Sequence, residues 1–259
     1  MNAEKITYFA AQLFNAEQNR KSVPPLTEQD SSISVDDAYH IQLENIERAL
    51  GMGHVISGKK IGLTSPGIQN QLGVKEPDYG HLFESMDCKD GKINTAALLQ
   101  PKIEAEIAFI LKKDLPGGKA TREDVLENID YVVAAFEIVD SRVADWNIKL
   151  ADTVADNASS GRYVLGSKKL RLSEVDLKTV TMKLWKNGAL AGEGEGSAVM
   201  GDPCLSVAWL ANKLAGYGVA LKAGEVILSG AFSAAPLAVK GDKFSAEFSS
   251  FGKIEAEFV

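Results

Sequence analysis

The sequence predicts an α+β fold, with helices gathered at the N-terminus and a β-rich remainder. Three observations predict it. Apolar residues recur at helical spacing through the first fifth of the chain. From about residue 55 they instead alternate with polar residues or run in strand-length blocks. Strand and helix signals do not alternate regularly, which argues against a doubly wound parallel sheet. No internal repeat, low-complexity tract or linker divides the chain. Residues 1–259 are therefore expected to form a single domain, helical over 1–54 and β-rich over 55–259.

The first helix is expected over residues 3–20. Ile6, Phe9, Ala10, Leu13 and Phe14 share one stripe there, as a helix packed on a core requires. Pro24 and Pro25 open a polar loop that runs through Ser32. Ser34 then caps a second helix, with Asp37 in the capping-box position. Tyr39, Leu43, Ile46 and Leu50 make its apolar face, and Gly51 is the stop. Strands are expected around Ile103–Phe109 and Val132–Ile138. A short helix over Thr121–Ile129 lies between them, with Asp124 three residues after its cap. Thr179–Trp185 alternates, and Asn187-Gly188 signals a tight hairpin turn. Asp202-Pro203 opens a helix as cap and first-turn proline. Val207, Leu210 and Leu214 give that helix its apolar side, and Gly216 ends it. Val226–Ser229, Lys243–Phe248 and Ile254–Val259 read as closing strands.

Composition excludes several function classes. A chain with 45% hydrophobic and 24% charged residues is an ordinary soluble globular protein. A net charge of -7 argues against a general nucleic-acid binder, which needs a basic footprint. It leaves an anionic substrate open, because a bound cation inverts the local field. Cys88 and Cys204 form no zinc spacing and predict a reduced, cytoplasmic protein. The N-terminus shows no signal-peptide pattern. No apolar run approaches the roughly 20 residues that span a bilayer, so no membrane association is expected.

Three carboxylates carry the strongest chemical signal. Ile103, Ala105, Ile107 and Phe109 alternate with Glu104, Glu106 and Ala108. A strand repeats every two residues, so both glutamates share a face. A solvated strand face gives the same alternation. Glu137 weakens that reading, because its neighbours from Val132 to Ile138 are almost all apolar. A Glu inside such a run needs a partner, since buried charge is costly unless paired or bound to a cation. The three side chains are candidate oxygen ligands for a hard divalent metal such as Mg2+.

Other signatures are absent or ambiguous. There is no phosphate loop, no His-Glu-x-x-His and no Gly-x-Ser-x-Gly. Gly192-Glu193-Gly194-Glu195-Gly196 has the glycine content of a nucleotide loop, but its acidic residues would repel phosphate. It is expected to be a flexible loop. His40, His54 and His81 are dispersed and expected to be structural. Gly58-Lys59-Lys60-Ile61-Gly62-Leu63-Thr64-Ser65 places two lysines on a strand-like segment, and a solvated lysine pair is the plain reading. Asp78-Tyr79-Gly80 reads as a turn. Asp156-Asn157-Ala158-Ser159-Ser160-Gly161 reads as a loop rich in hydroxyl and backbone donors.

Taken in order, five of these segments form a pattern. Gly-Lys-Lys-Ile-Gly-Leu-Thr-Ser, Glu-Pro-Asp-Tyr-Gly, Pro-Lys-Ile-Glu-Ala-Glu-Ile-Ala-Phe, Glu-Ile-Val-Asp-Ser-Arg and Asp-Asn-Ala-Ser-Ser-Gly together resemble the 2-keto-4-pentenoate hydratase family. That family belongs to the fumarylacetoacetate hydrolase superfamily and also contains 4-oxalocrotonate decarboxylases. The resemblance covers nearly the whole chain. It implies a mixed β-sheet roll of the fumarylacetoacetate hydrolase type with N-terminal helices. It implies Mg2+ or Mn2+ held by Glu104, Glu106 and Glu137, and Lys60 facing the substrate with Asp78 near it. Ser159 and Ser160 match the substrate loop, and Ser229-Gly230 matches a loop near the substrate carboxylate. The implied activity is hydration of 2-hydroxypenta-2,4-dienoate to 4-hydroxy-2-oxopentanoate in meta-cleavage catabolism of aromatic compounds. Pro24-Pro25-Leu26-Thr27, the Gly-Lys-Lys segment and Asp145-Trp146 with Lys149 look hydratase-like; Ala234-Ala235 looks decarboxylase-like. A decarboxylase is the alternative enzyme, and an accessory subunit stabilising a partner enzyme is a third class. The resemblance also implies a homo-oligomer, a pentamer or decamer, able to associate with a decarboxylase of the same family.

Overall fold

A computed structural model describes residues 1–259, apart from the side chains of Ile68, Gln71 and Leu72. Three helices lead: α1 (Ala3–Asn19), the single turn α2 (Leu26–Gln29) and α3 (Val35–Gly51). Then come β1 (Ile56–Gly62), α4 (Pro66–Leu72), β2 (Asp78–Phe83), β3 (Lys92–Ile93), β4 (Lys102–Leu111), α5 (Arg122–Asn128) and β5 (Ile129–Val139). The chain continues through α6 (Leu150–Ala155), β6 (Ser160–Leu165), β7 (Thr181–Lys186), β8 (Ala189–Glu195) and α7 (Pro203–Ala215). It closes with β9 (Val226–Leu228), β10 (Lys243–Phe248) and β11 (Gly252–Phe258).

The local signals act as their chemistry dictates. Ser34 and Asp37 form a reciprocal capping box at α3, and Thr121 and Asp124 form another at α5. Asp202 caps α7 by accepting the Cys204 N–H, with Pro203 in the first turn. The apolar face of α3 is rotated from the expected one. Ala38, Tyr39, Ile41, Gln42 and Ile46 are buried, whereas Leu50 in the last turn is exposed.

The strands form two mixed sheets. One has six strands in the order β2-β1-β9-β4-β5-β6, and the other has five in the order β3-β11-β10-β7-β8. In the larger sheet β1 and β9 run parallel, and the other pairs are antiparallel. Ile103, Ala105, Ile107 and Phe109 turn into the main core, where Phe244, Phe248 and Phe258 of the smaller sheet join them. The same core takes in Phe9, Leu13, Tyr39 and Ile41 from the leading helices. Gln42 ties α3 to the sheet, donating from Nε2 to the carbonyls of Tyr79 and Val154.

Two sequence expectations fail here. The glycine-rich segment 192–196 is mostly strand, with Met182 opposite Gly194 and Leu184 opposite Gly192. Its glycines answer to space. A Cβ at Gly194 would come 2.0 Å from the Phe232 carbonyl oxygen, and one at Gly196 would come 1.8 Å from that of Leu177. Asp78-Tyr79-Gly80 is the start of β2, fully buried, and not a turn.

Candidate metal centre and cleft

The antiparallel register of β4 and β5 sets Glu104 directly opposite Glu137 and Glu106 opposite Ala135. Cross-strand partners share a face, so all three carboxylates converge. One oxygen from each lies within 4.8 Å of the others. Glu106 and Glu137 are fully buried. Glu106 Oε2 accepts the Gly230 N–H at 2.8 Å, while Glu106 Oε1 and Glu137 Oε2 accept no hydrogen bond. Burial pushes all three carboxyls up from their ordinary range. Mutual repulsion adds to the rise at Glu106, and Lys60 opposes it at Glu137. Acceptor-only oxygens, buried and unpaired, are costly unless a cation fills the space between them. The donor set is all carboxylate oxygen, which suits a hard divalent ion.

Lys60 reaches this cluster from β1. Its Nζ lies 3.3 Å from Glu137 Oε1. Burial disfavours the ammonium, but Glu137, Asp78, Glu104 and Glu106 together outweigh that and hold it protonated. Asp78, at the start of β2, accepts the Thr153 hydroxyl on Oδ2 at 3.4 Å, and Thr153 in turn lies 3.4 Å from the Ser159 hydroxyl. Burial raises the Asp78 carboxyl against the pull of Lys60. A Cβ at Gly62 would come 2.3 Å from Asp78 Oδ1, so glycine there makes room for the carboxylate. Lys59 points the other way, pairs with Glu225 at 2.7 Å and lies near His81. Both lysines are buried, so neither forms part of a solvated pair.

The loop after α6 is held in an unusual conformation. Asn157, Ala158 and Ser159 are consecutive residues at φ of 53°, 49° and 53°, a region that non-glycine residues seldom adopt. Arg142 sustains it. Its guanidinium pairs with Asp156 and donates to the carbonyls of Asp140, Asp156 and Ser160. Ser159 lines the cleft described next. The Ser160 hydroxyl donates to the Asn157 carbonyl at 2.7 Å, closing the loop on itself. Ser229 is fully buried and its hydroxyl has no hydrogen-bond partner.

A cleft of about 750 Å³ opens onto this cluster. Lys60, Asp78, Glu104 and Ser159 line it, with Thr64, Lys102, Trp146, Ile148 and Phe232. Glu106, Glu137, Ser160, Ser229 and Gly230 do not line it. Sequence reasoning missed Lys102, although its position two residues before Glu104 on one strand face was signal enough. It also missed Thr64 as a wall residue and Trp146 as more than a mark of likeness. Nothing in their local sequence directs them to the cleft. None of the three histidines lines it.

The family model for the fumarylacetoacetate (FAA) hydrolase C-terminal region matches residues 84–259. The chain belongs to the fumarylacetoacetate hydrolase family. Among its curated relatives is the 2-hydroxyhexa-2,4-dienoate hydratase of Comamonas testosteroni. The two are 45% identical over 95% of this chain and 94% of that protein. The 2-keto-4-pentenoate hydratase of Paraburkholderia xenovorans is 46% identical, over 96% of this chain and 93% of its own. These place the chain on the 2-keto-4-pentenoate hydratase branch of the family. Among solved structures, a 4-oxalocrotonate decarboxylase from Pseudomonas putida, complexed with magnesium and adipate, superposes with a TM-score of 0.96. It is 36% identical, covering 100% of this chain and 99% of that one. The mixed sheets and leading helices are thus this family's fold.

Proposed function

We propose that this protein is a divalent-metal-dependent hydratase that adds water to 2-hydroxypenta-2,4-dienoate and yields 4-hydroxy-2-oxopentanoate, in the meta-cleavage catabolism of aromatic compounds. One observation carries the reading. Three converging carboxylates, two of them fully buried with unpaired oxygens, meet a buried lysine beside one cleft. Identity of 45% and 46% to two curated hydratases, over 95% and 96% of this chain, supports the choice of substrate. Glu104, Glu106 and Glu137 would hold Mg2+ or Mn2+. When bound, such an ion supplies Lewis acidity toward adjacent carboxylate and oxo oxygens. The magnesium in the related decarboxylase is in keeping with this.

The chain's own groups account for binding and proton handling. Lys60, held protonated, places a donor at Nζ for the enolate oxygen of the dienoate. Asp78, with its carboxyl raised, holds or releases a proton at Oδ2 beside Thr153. A carboxyl raised from its ordinary range by burial suits general acid–base transfer. Ser159 offers a hydroxyl in the cleft wall, with Ser160 fixing its loop. The Gly230 amide serves Glu106 and the Ser229 hydroxyl lies behind the cleft lining, so family resemblance alone supports their place near the substrate carboxylate. The decarboxylase remains the second reading, favoured by the TM-score of 0.96. A cytoplasmic homo-oligomer of five or ten chains completes the proposal, with family resemblance as its support.

The test is product analysis with the full chain and Mg2+. We expect 2-hydroxypenta-2,4-dienoate to be hydrated and 4-oxalocrotonate to release no CO2. Release of CO2 without hydration would move the protein to the decarboxylase class.

A further inference from the structure

Lys102 opens β4 on the same strand face as Glu104, two residues away. At the rise of a β-strand that is about 7 Å of separation. Both residues line the cleft, and among its described lining residues only Lys60 and Lys102 are cationic. Lys60 is already matched by Glu137. Lys102 has no carboxylate oxygen within 4.0 Å among the described residues. Its Nζ instead lies 4.1 Å from the centroid of the Trp146 ring. A ring face attracts an ammonium but leaves its N–H donors free for a stronger acceptor.

The indole is fixed in place. Trp146 Nε1 donates to the Gln100 carbonyl at 3.0 Å. Asp145 and Trp146 both hold positive φ, 57° and 54°, a conformation that persists only where the surroundings impose it. Val139, opposite Lys102 in the sheet, and Ile148 add apolar surface to the same lining. The cleft therefore carries an apolar wall with one cation parked against it, a short step from the carboxylate cluster.

We propose that Lys102 and Trp146 together read the tail of the substrate. The indole gives a neutral tail its wall and keeps the ammonium aside, and a tail carboxylate draws the ammonium off the ring. The substrate class favoured for reaction is a mono-anionic 2-hydroxydienoate with a short apolar tail. A dicarboxylate of five or six carbons binds through Lys102 as a competing ligand. This rests on the proposed reading that the carboxylate–oxo end of the acid sits at Glu104, Glu106 and Glu137.

Calorimetry on the full chain in Mg2+ tests it, with 2-oxohexanoate and 2-oxohexanedioate as probes. Each variant is first shown to bind Mg2+. The quantity read is the ratio of the affinity for the dianion to that for the monoanion. Lys102→Met is expected to lower this ratio at least tenfold, and Lys102→Arg to restore most of it. Trp146→Leu is expected to raise it at least fivefold by weakening the monoanion. A ratio that neither substitution moves, or parallel loss of both ligands, overturns the proposal; a merely structural role would give the latter. Failure of either probe to bind the unsubstituted protein also overturns it. Absence of hydratase turnover alongside shifted ratios would instead overturn the hydratase reading and leave the tail-reading pair standing.

Discussion

Lys59 and Lys60 are chemically identical neighbours with different consequences. A strand sends adjacent side chains to opposite faces. Lys60 therefore joins Glu137, while Lys59 joins Glu225. We expect Lys60→Met to lower kcat by roughly 10²–10⁴-fold, the range for a positioned acid–base group, with the protein still binding Mg2+. Lys59→Met should lower the melting temperature, because it leaves Glu225 without its cation, while kcat changes only a few-fold. Steady-state kinetics and thermal melts on both variants decide this; if Lys59 proves the kinetically sensitive residue, the assignment of faces is wrong. Glu106→Gln replaces a fully buried carboxyl whose Oε1 has no protein partner. It is expected to weaken Mg2+ binding in a titration without unfolding the chain. Full turnover after exhaustive chelation would sink the metal reading altogether.

The connections between elements position the site as much as the strands do. The turn after β9 places the Gly230 N–H on Glu106 with φ at 116°. A Cβ there would come 2.3 Å from the Thr64 hydroxyl oxygen. Gly230→Ala should therefore displace the donor and lower metal affinity by about 10–100-fold, as loss of a ligand's supporting partner does. Unchanged Mg2+ affinity in that variant would show that Glu106 needs no such support. The loop after α6 depends on Arg142 in the same way. Breaking a buried ion pair by removing one partner costs about 3–5 kcal/mol. Arg142→Met should lose stability of that order in a denaturant titration and should expose the Asn157–Ser159 turn to proteolysis. Retention of wild-type stability would mean that the three left-handed residues are held by something else.

At the scale of the whole molecule, the carboxylate cluster links stability to pH and to metal. Burial raises the Glu137 carboxyl from 4.5 to about 8 and raises Glu104 and Glu106 as well. Between those values the folded protein binds more protons than the unfolded chain. Without a cation its stability must then fall as pH rises through that window. A divalent ion binds the deprotonated carboxylates and displaces the protons. The rise in melting temperature on adding Mg2+ should therefore be larger at pH 8 than at pH 5. At a concentration 100 times the dissociation constant the gain is about 2.7 kcal/mol. A gain equal at the two pH values would contradict a cluster that exchanges protons for metal.

Much of this was legible in the sequence because it depends on local rules. The alternation of Ile103 to Phe109 placed Glu104 and Glu106 on one face, and the apolar run around Glu137 marked a carboxylate in need of a partner. The capping pairs Ser34–Asp37 and Thr121–Asp124 announced their helices, since such caps act within four residues. The ordered motifs carried the family. Other features only the tertiary structure decided. Insertion of β9 between β1 and β4 brings Gly230 to Glu106, two residues 124 positions apart. Separation in sequence also hides why Gly194 and Gly196 are glycines, because Phe232 and Leu177 approach them from other parts of the chain. It likewise hides that Trp146 meets Lys102. Periodicity and capping report which face a residue takes within its own element; which distant side chain it meets there is set by sheet order and register, and no local pattern encodes that.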